Sequence, residues 1–223
     1  MSKSDLRIDW ATHEAAKYAC ENWHYSKCIP KSKLVKIGAW ECDKFIGVVL
    51  FGYGATAELG TPYKLQMNEC CELVRIALTR HTVPVSRIMR LAIAFLTKTN
   101  PGLRLVVSFA DSTQGHHGGV YQATNWLYTG KTASCVFYRD PKGKLWHPRR
   151  ASKTPNPQKQ LVTKEWTEER QGGKHRYLLP LDDEMRKRIE PLRKPYPKRV
   201  RSVDSDTATV QVAKGGANPT RTL

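Results

Sequence analysis

The sequence predicts an α/β domain, and three observations carry that reading. The runs at residues 73–78 and 105–110 are short, apolar, rich in Val, Ile and Phe, and bounded by turn residues, which is the pattern of buried strands. Between them Ile88, Leu91, Ala92, Phe95 and Leu96 recur at i, i+3, i+4, i+7 and i+8, one face of a helix that begins near Pro84 or Ser86. A strand, helix and strand of this length form a right-handed crossover. The third observation is a hairpin signature: two β-rich runs, 34–40 and 45–52, parted by Glu41, Cys42, Asp43 and Lys44. Polar residues gather at 80–87 and 108–117, at the carboxyl ends of the two strands. In open α/β sheets ligands bind at that edge.

In chain order, Thr12 is placed to cap a helix that runs through Tyr18, Ala19 and Cys20 to about Trp23. Pro30 in the polar stretch 23–33 forbids its continuation. Gly54, Gly60 and Pro62 mark a longer loop between the hairpin and the crossover unit. After it, Tyr121, Asn125 and Trp126 lie at i, i+4 and i+5 of a further helix. A strand pair is expected at 133–138 and 144–147, turned by Asp140, Pro141, Lys142 and Gly143. Residues 148–173 are polar, basic and proline-spotted, a surface excursion anchored by Trp166. A strand at 175–181 precedes an amphipathic helix at 182–192 with Met185, Ile189 and Leu192 on one face. Its opening acids and closing bases match the helix dipole. The organisation expected is a catalytic core at 1–147, a basic extension at 148–200 whose strand and helix pack on that core, and a disordered tail at 201–223.

A chain of 223 residues with 40% hydrophobic content supports one sizeable core. No apolar run approaches the ~20 residues needed to span a bilayer. The first residues lack the apolar segment of a signal peptide, so the protein is expected to stay in the cytoplasm where it is made. Its six cysteines form no CxxC pair, which fits reduced thiols. Charge is the strongest global signal: 37 Lys and Arg against 20 Asp and Glu, a net of +17. Residues 139–201 hold 19 basic and 8 acidic side chains, a net of +11. Such clustering, interleaved with aromatics, attracts nucleic acid by releasing counterions from phosphates.

Several polar residues invite chemistry. His24 can serve as a base or metal ligand near neutral pH, or sit as a surface imidazole beside Tyr25. Asp111, at the end of a buried strand, can hold an amine or a metal, or cap the next turn. Arg75 lies inside an apolar strand and needs solvent or a carboxylate, with Glu72 and Asp111 the natural partners.

The element order resembles the GNAT fold of the acyl-CoA-dependent N-acyltransferases, which implies a central mixed, mostly antiparallel sheet flanked by helices. The segments WHYSKCIP, FIGVVLFG, ELVRIAL, PVSRIMRLAIAFL and VVSFADSTQGHHGGVYQATNW resemble the phage Mom family across residues 23–130, and HRYLLPLDDEMRKRIEPL does so less tightly. That resemblance implies a divergent GNAT protein of the phage-infected bacterial cytoplasm. It would install a carbamoylmethyl group on the exocyclic amino nitrogen of adenine and so shield the DNA from restriction enzymes. The substrate implied is double-stranded DNA with a flipped adenine, and a homodimer stays open.

Carried onto this sequence, the catalytic candidates are His24, Tyr25, Arg75, Ser108 and Asp111. Iron is associated with the family, and His24, Tyr25 and Asp111 are the candidate ligands, with His116 and His117 in addition. Acetyl-CoA or a related acyl-CoA would meet Arg80, Ser86 and Arg87, although the 79–87 corner lacks the glycines through which GNAT enzymes approach a pyrophosphate. DNA contacts fall to Lys27, Lys31, Lys33, Tyr121, Arg149, Arg150 and Lys153. Two alternatives remain: an ordinary N-acetyltransferase acting on a protein or small amine, and a non-catalytic DNA-binding protein.

Overall fold

The computed structural model describes residues 5–54 and 58–198; the tail expected at 201–223 lies outside them. A mixed sheet of seven strands forms the centre, in the spatial order 6–10, 34–41, 44–52, 70–78, 105–110, 175–180 and 127–131. It is mostly antiparallel, and the α/β class with helices on both faces is as expected. The strand β1 (Leu6–Trp10) pairs with β2 (Leu34–Glu41), which pairs with β3 (Lys44–Gly52) and through it with β4 (Cys70–Leu78), all antiparallel. Within this sheet only β4 and β5 (Leu105–Ala110) run parallel, joined by the crossover helix α2 (Val85–Thr99).

Both faces of the sheet are covered for reasons visible in the side chains. On one, α1 (His13–Trp23) is capped by Thr12, whose Oγ1 accepts the Ala15 N–H at 3.1 Å. It buries Ala16, Ala19 and Cys20, side chains small enough to press the helix onto Val48, Leu50 and Ala77. On the other, α2 buries Ile88, Met89, Ala92, Ile93 and Leu96 against Ile37, Val49, Phe51 and Val106. The buried stripe is thus rotated from the expected one. Leu91 is exposed, and Phe95 turns to Trp10 of β1 at 5.0 Å.

A bulge keeps β3 in phase with both layers. Register slips between Ala39 and Trp40, leaving Ile46 as the extra residue, so Ile46, Val49 and Phe51 all join the α2 side. Gly47 makes this possible: its φ is +139°, and a Cβ there would lie 2.1 Å from the Ala77 carbonyl oxygen.

The strand expected at 175–181 is β12 (His175–Pro180), and it lies inside the main sheet, antiparallel to both β5 and β6 (Leu127–Lys131). Residues 175–180 therefore belong to the central layer rather than to its surface. The helix that follows, α4 (Asp183–Ile189), is capped by Asp182 and buries Met185 and Ile189 with Leu105, Leu127 and Leu178. Arg104 ties it down through a bidentate bond to Asp182 at 2.8 and 3.0 Å.

The expected strand pair forms as β7 (Cys135–Arg139) and β8 (Leu145–Trp146). The excursion after it is more ordered than its composition implies. It carries the short parallel pair β9 (Ala151–Ser152) and β10 (Gln160–Leu161), then β11 (Thr167–Gln171), which completes a small sheet by pairing with β7. Trp166 does anchor it, 5.9 Å from Trp146. The helix expected through Asn125 is a single turn, α3 (Gly119–Gln122); Asn125 takes a left-handed conformation with φ 61° that ends it.

Candidate active site

The parallel pairing of β4 and β5 is short. It joins residues 70–73 to residues 105–108 and then stops. Beyond it β4 stays with β3, whose register skips Val74, while β5 stays with β12. The strands diverge, and a cleft of about 700 Å³ opens between them. Val74, Arg75, Ile76, Phe109 and Ala110 line it from the strands, Trp23, His24 and Tyr25 from the end of α1, and residues 115–121 from the opposite side.

Ser108 sits at the fork, 1% exposed. Its Oγ lies 2.8 Å from the Leu73 carbonyl oxygen and 2.8 Å from the Tyr121 hydroxyl. A serine hydroxyl has one proton, and the carbonyl can only accept, so Ser108 donates to Leu73 and Tyr121 donates to Ser108. Ser108 thereby satisfies the last β4 carbonyl before the strands part. Tyr121, expected as a DNA contact, is buried against Trp126 and Tyr177, and burial pushes its pKa up to about 12. It is a wall of the cleft, not a free stacking platform.

The extended backbone of His24 at the α1 C-cap turns residues 24 and 25 toward the opening. The imidazole is half-buried; burial, then the positive charge of Arg75, lowers its pKa to about 4. It is therefore neutral near pH 7. Its Nδ1 accepts the Ser26 N–H at 3.1 Å, so the network assigns the proton to Nε2. Tyr25 is 50% exposed, with its ring 4.2 Å from His24 and edge-on to His116 at 5.4 Å. Burial and the nearby Asp111 charge raise its pKa.

The carboxylate partner expected for Arg75 is not formed. Its guanidinium lies 3.8 to 3.9 Å from the Cys28 thiol, while Asp111 faces Lys174 at 3.5 Å. Asp111 caps the turn after β5: Oδ1 accepts the Thr113 N–H at 3.0 Å and hydroxyl at 2.7 Å. Burial works against its charge, but these bonds and Lys174 together hold the pKa below the usual Asp value.

Lys174 escaped the sequence reading. Its backbone is clamped from two sides: its N–H donates to Thr132 Oγ1 at 3.0 Å, and Ser112 Oγ donates to the Gly173 carbonyl at 3.0 Å. Its charge also opposes the rise that burial imposes on the Glu72 pKa. The only local signal was the glycine pair before β12.

The candidate iron ligands His24, Tyr25 and Asp111 all line this cleft. Asp111 Oδ1 accepts from Thr113 and its Oδ2 faces Lys174, His24 Nδ1 is engaged with Ser26, and among the described residues no three His, Cys, Asp or Glu side chains group to hold a metal ion. His116 is exposed at the rim, and the carbonyl of His117 accepts the Tyr177 hydroxyl at 2.5 Å. Of the residues assigned to a cofactor, Arg80 and Arg87 are exposed and Ser86 is partly buried in the first turn of α2. The candidate DNA-contacting lysines Lys27, Lys31 and Lys33 are exposed on the loop after α1, the first with its Nζ on the Asn22 carbonyl at 3.0 Å. Arg149 and Arg150 are exposed beyond β8, whereas Lys153 is ion-paired with Glu168.

Among solved structures, an aminoglycoside acetyltransferase AAC(6')-Ib in complex with coenzyme A aligns over 84% of this chain and 98% of its own, at 8% identity and a TM-score of 0.48. An agmatine N-acetyltransferase mutant aligns over 79% of this chain and 100% of its own, at 10% identity and a TM-score of 0.41. The methylcarbamoylase Mom of Escherichia phage Mu is 26% identical over 148 residues, which are 64% of this chain and 60% of that relative. The match thus spans less than two thirds of that relative's length. No described helix is long and apolar enough to cross a membrane. Residues 5–198 match the Mom protein family, and the chain belongs to that family.

Proposed function

We propose that this protein is a DNA-modifying transferase that places a carbamoylmethyl group on the exocyclic amino nitrogen of adenine and so protects phage DNA from restriction. Membership of the Mom family carries this reading, and the cleft at the β4–β5 fork is compatible with it. A base inside a duplex must leave the stack to be modified, at a cost of a few kcal/mol, about what stacking on an aromatic wall returns. Tyr25, half-exposed and backed by His24, is that wall. Exposed Lys27, Lys31, Lys33, Arg149 and Arg150 hold the phosphates.

The amino group of adenine is a weak nucleophile because its lone pair is delocalised into the ring. Its proton becomes acidic only as the new C–N bond forms, so a weak base suffices. Asp111, ionised and held beside Lys174, is the acceptor. The new bond from nitrogen to the CH2 carbon replaces the bond from that carbon to its donor, which departs with the electron pair. His24, neutral with its proton on Nε2, donates a hydrogen bond toward the charge developing on the departing group, and Arg75 adds positive charge on the same side.

The test is mass spectrometry of nucleosides digested from plasmid DNA of cells expressing the protein. A new deoxyadenosine adduct is expected with the wild type, reduced roughly 100-fold or more by Asp111→Ala. Lys174→Met is expected to lower it while shifting the acid limb of the pH profile upward, because Asp111 loses its cationic neighbour. Unmodified deoxyadenosine beside abundant folded protein, in cells of a phage-permissive host, refutes the reading.

A further inference from the structure

The corner between β4 and α2 is where the GNAT resemblance places the diphosphate of an acyl-CoA. Anions are held at such corners by bare backbone N–H groups at the start of a helix. In this chain the two N–H groups that lead into the helix, those of Thr82 and Val83, are already occupied. Glu41, the last residue of β2, reaches across from the hairpin, and its carboxylate accepts the Thr82 N–H at 3.0 Å, the Val83 N–H at 2.9 Å and the Thr82 hydroxyl at 2.5 Å.

What is left at the corner is the first turn of α2, where the Arg87 N–H is taken by the Pro84 carbonyl at 2.9 Å and the N–H groups of Val85 and Ser86 lie beyond Pro84. The next residue, Pro84, has no N–H to offer. Val83 is 2% exposed, wedged against the α2 side of the core, so the corner cannot slide to present other amides. The 79–87 stretch contains no glycine that would let a phosphate approach the backbone closely. The Thr82 hydroxyl and both N–H groups hold the Glu41 carboxyl below its usual pKa, so it carries a full negative charge near neutral pH. A diphosphate entering here would meet a like charge on the donors it needs.

We infer that Glu41 fills the diphosphate position of this fold from within the chain, so that the protein does not hold a CoA thioester there and takes its transferable group from a donor without a nucleotide diphosphate. This goes beyond the function proposed above, which leaves the donor unnamed, and it does not depend on DNA being the acceptor.

Calorimetric titration of the full chain with CoA, acetyl-CoA and inorganic pyrophosphate tests it. The wild type is expected to show no saturable binding of any of the three at millimolar concentration. Glu41→Gln, which keeps an acceptor but drops the charge, and Glu41→Ala, which empties the corner, are expected to bind pyrophosphate and CoA at least about 10-fold better, equivalent to about 1.4 kcal/mol. Circular dichroism checks that each variant is folded, and Glu41→Gln decides where Glu41→Ala is not. Saturable binding of CoA to the wild type, competed by pyrophosphate, overturns the inference. So does a folded Glu41→Gln that binds no better than the wild type. The nucleoside adduct is a separate readout: its absence would sink the DNA reading and leave the state of this corner undecided by that result and decided by the titration.

Discussion

Ser108→Ala is expected to destabilise the protein more than Tyr121→Phe, although both break the same hydrogen bond. The asymmetry follows from the single proton on the Ser108 hydroxyl. In Tyr121→Phe, Ser108 keeps its bond to the Leu73 carbonyl, and only one net hydrogen bond is lost, at about 1 kcal/mol. In Ser108→Ala, the Leu73 carbonyl loses its donor and the buried Tyr121 hydroxyl loses its acceptor. Each stranded group costs about 1–3 kcal/mol, so a total of roughly 2–4 kcal/mol is expected after partial relaxation toward the cleft. Adding Tyr121→Phe to Ser108→Ala removes one of the stranded groups, and the double variant should be no less stable than Ser108→Ala alone. Urea unfolding of the four proteins, with m-values compared, measures the cycle. Equal losses in the two single variants, or a double variant whose loss is the sum of the two, would refute the assignment of donors at the fork.

Two further outcomes are expected. The folded pKa of His24, about 4, lies below its unfolded value of 6.5, so the unfolded chain binds more protons between those values and stability falls as pH drops through that window. His24→Gln should remove a part of this fall on the order of 1–2 kcal/mol, discounted because the ring is half in solvent, as read from urea midpoints at about pH 7 and about pH 4.5. Gly118 has φ +82°, and a Cβ there would meet the Tyr177 ring at 2.3 to 2.5 Å and its hydroxyl at 2.7 Å. Gly118→Ala should therefore cost about 3 kcal/mol or more and abolish adduct formation, since Tyr177 also holds the His117 carbonyl beside the cleft; a melting temperature equal to the wild type would contradict this.

The central unit was legible because its signals are local. Apolar runs bounded by turns marked β4 and β5, a 3.6-residue period marked α2, and the two β-rich runs parted by Glu41 to Lys44 marked the hairpin. Two main-sheet strands went unmarked. In β1 only Leu6, Ile8 and Trp10 alternate, over five residues at an edge; in β6 the run LYTGK carries a Thr, a Gly and a Lys. Pairing with β2 and β12, not intrinsic preference, makes them strands. The buried face of α2 shifted by one position for a similar reason: the sheet it lies on, with Trp10 at its edge, selects Met89 and Ile93 over Leu91.

For the site, the residue sequence and its family likeness named Asp111, His24, Tyr25 and Arg75, and the fold brings all four to one cleft. Their partners were out of reach of any local pattern. Lys174 stands 63 positions from Asp111 in the chain and meets it only because β12 enters the sheet beside β5. Glu41 meets Thr82 across 41 positions because the hairpin lies next to β4. Periodicity records which face of an element is buried, an effect of near neighbours. The charge beside a carboxylate, and the ligand held by a helix start, depend on which distant strands lie side by side, and only the packed sheet decides that.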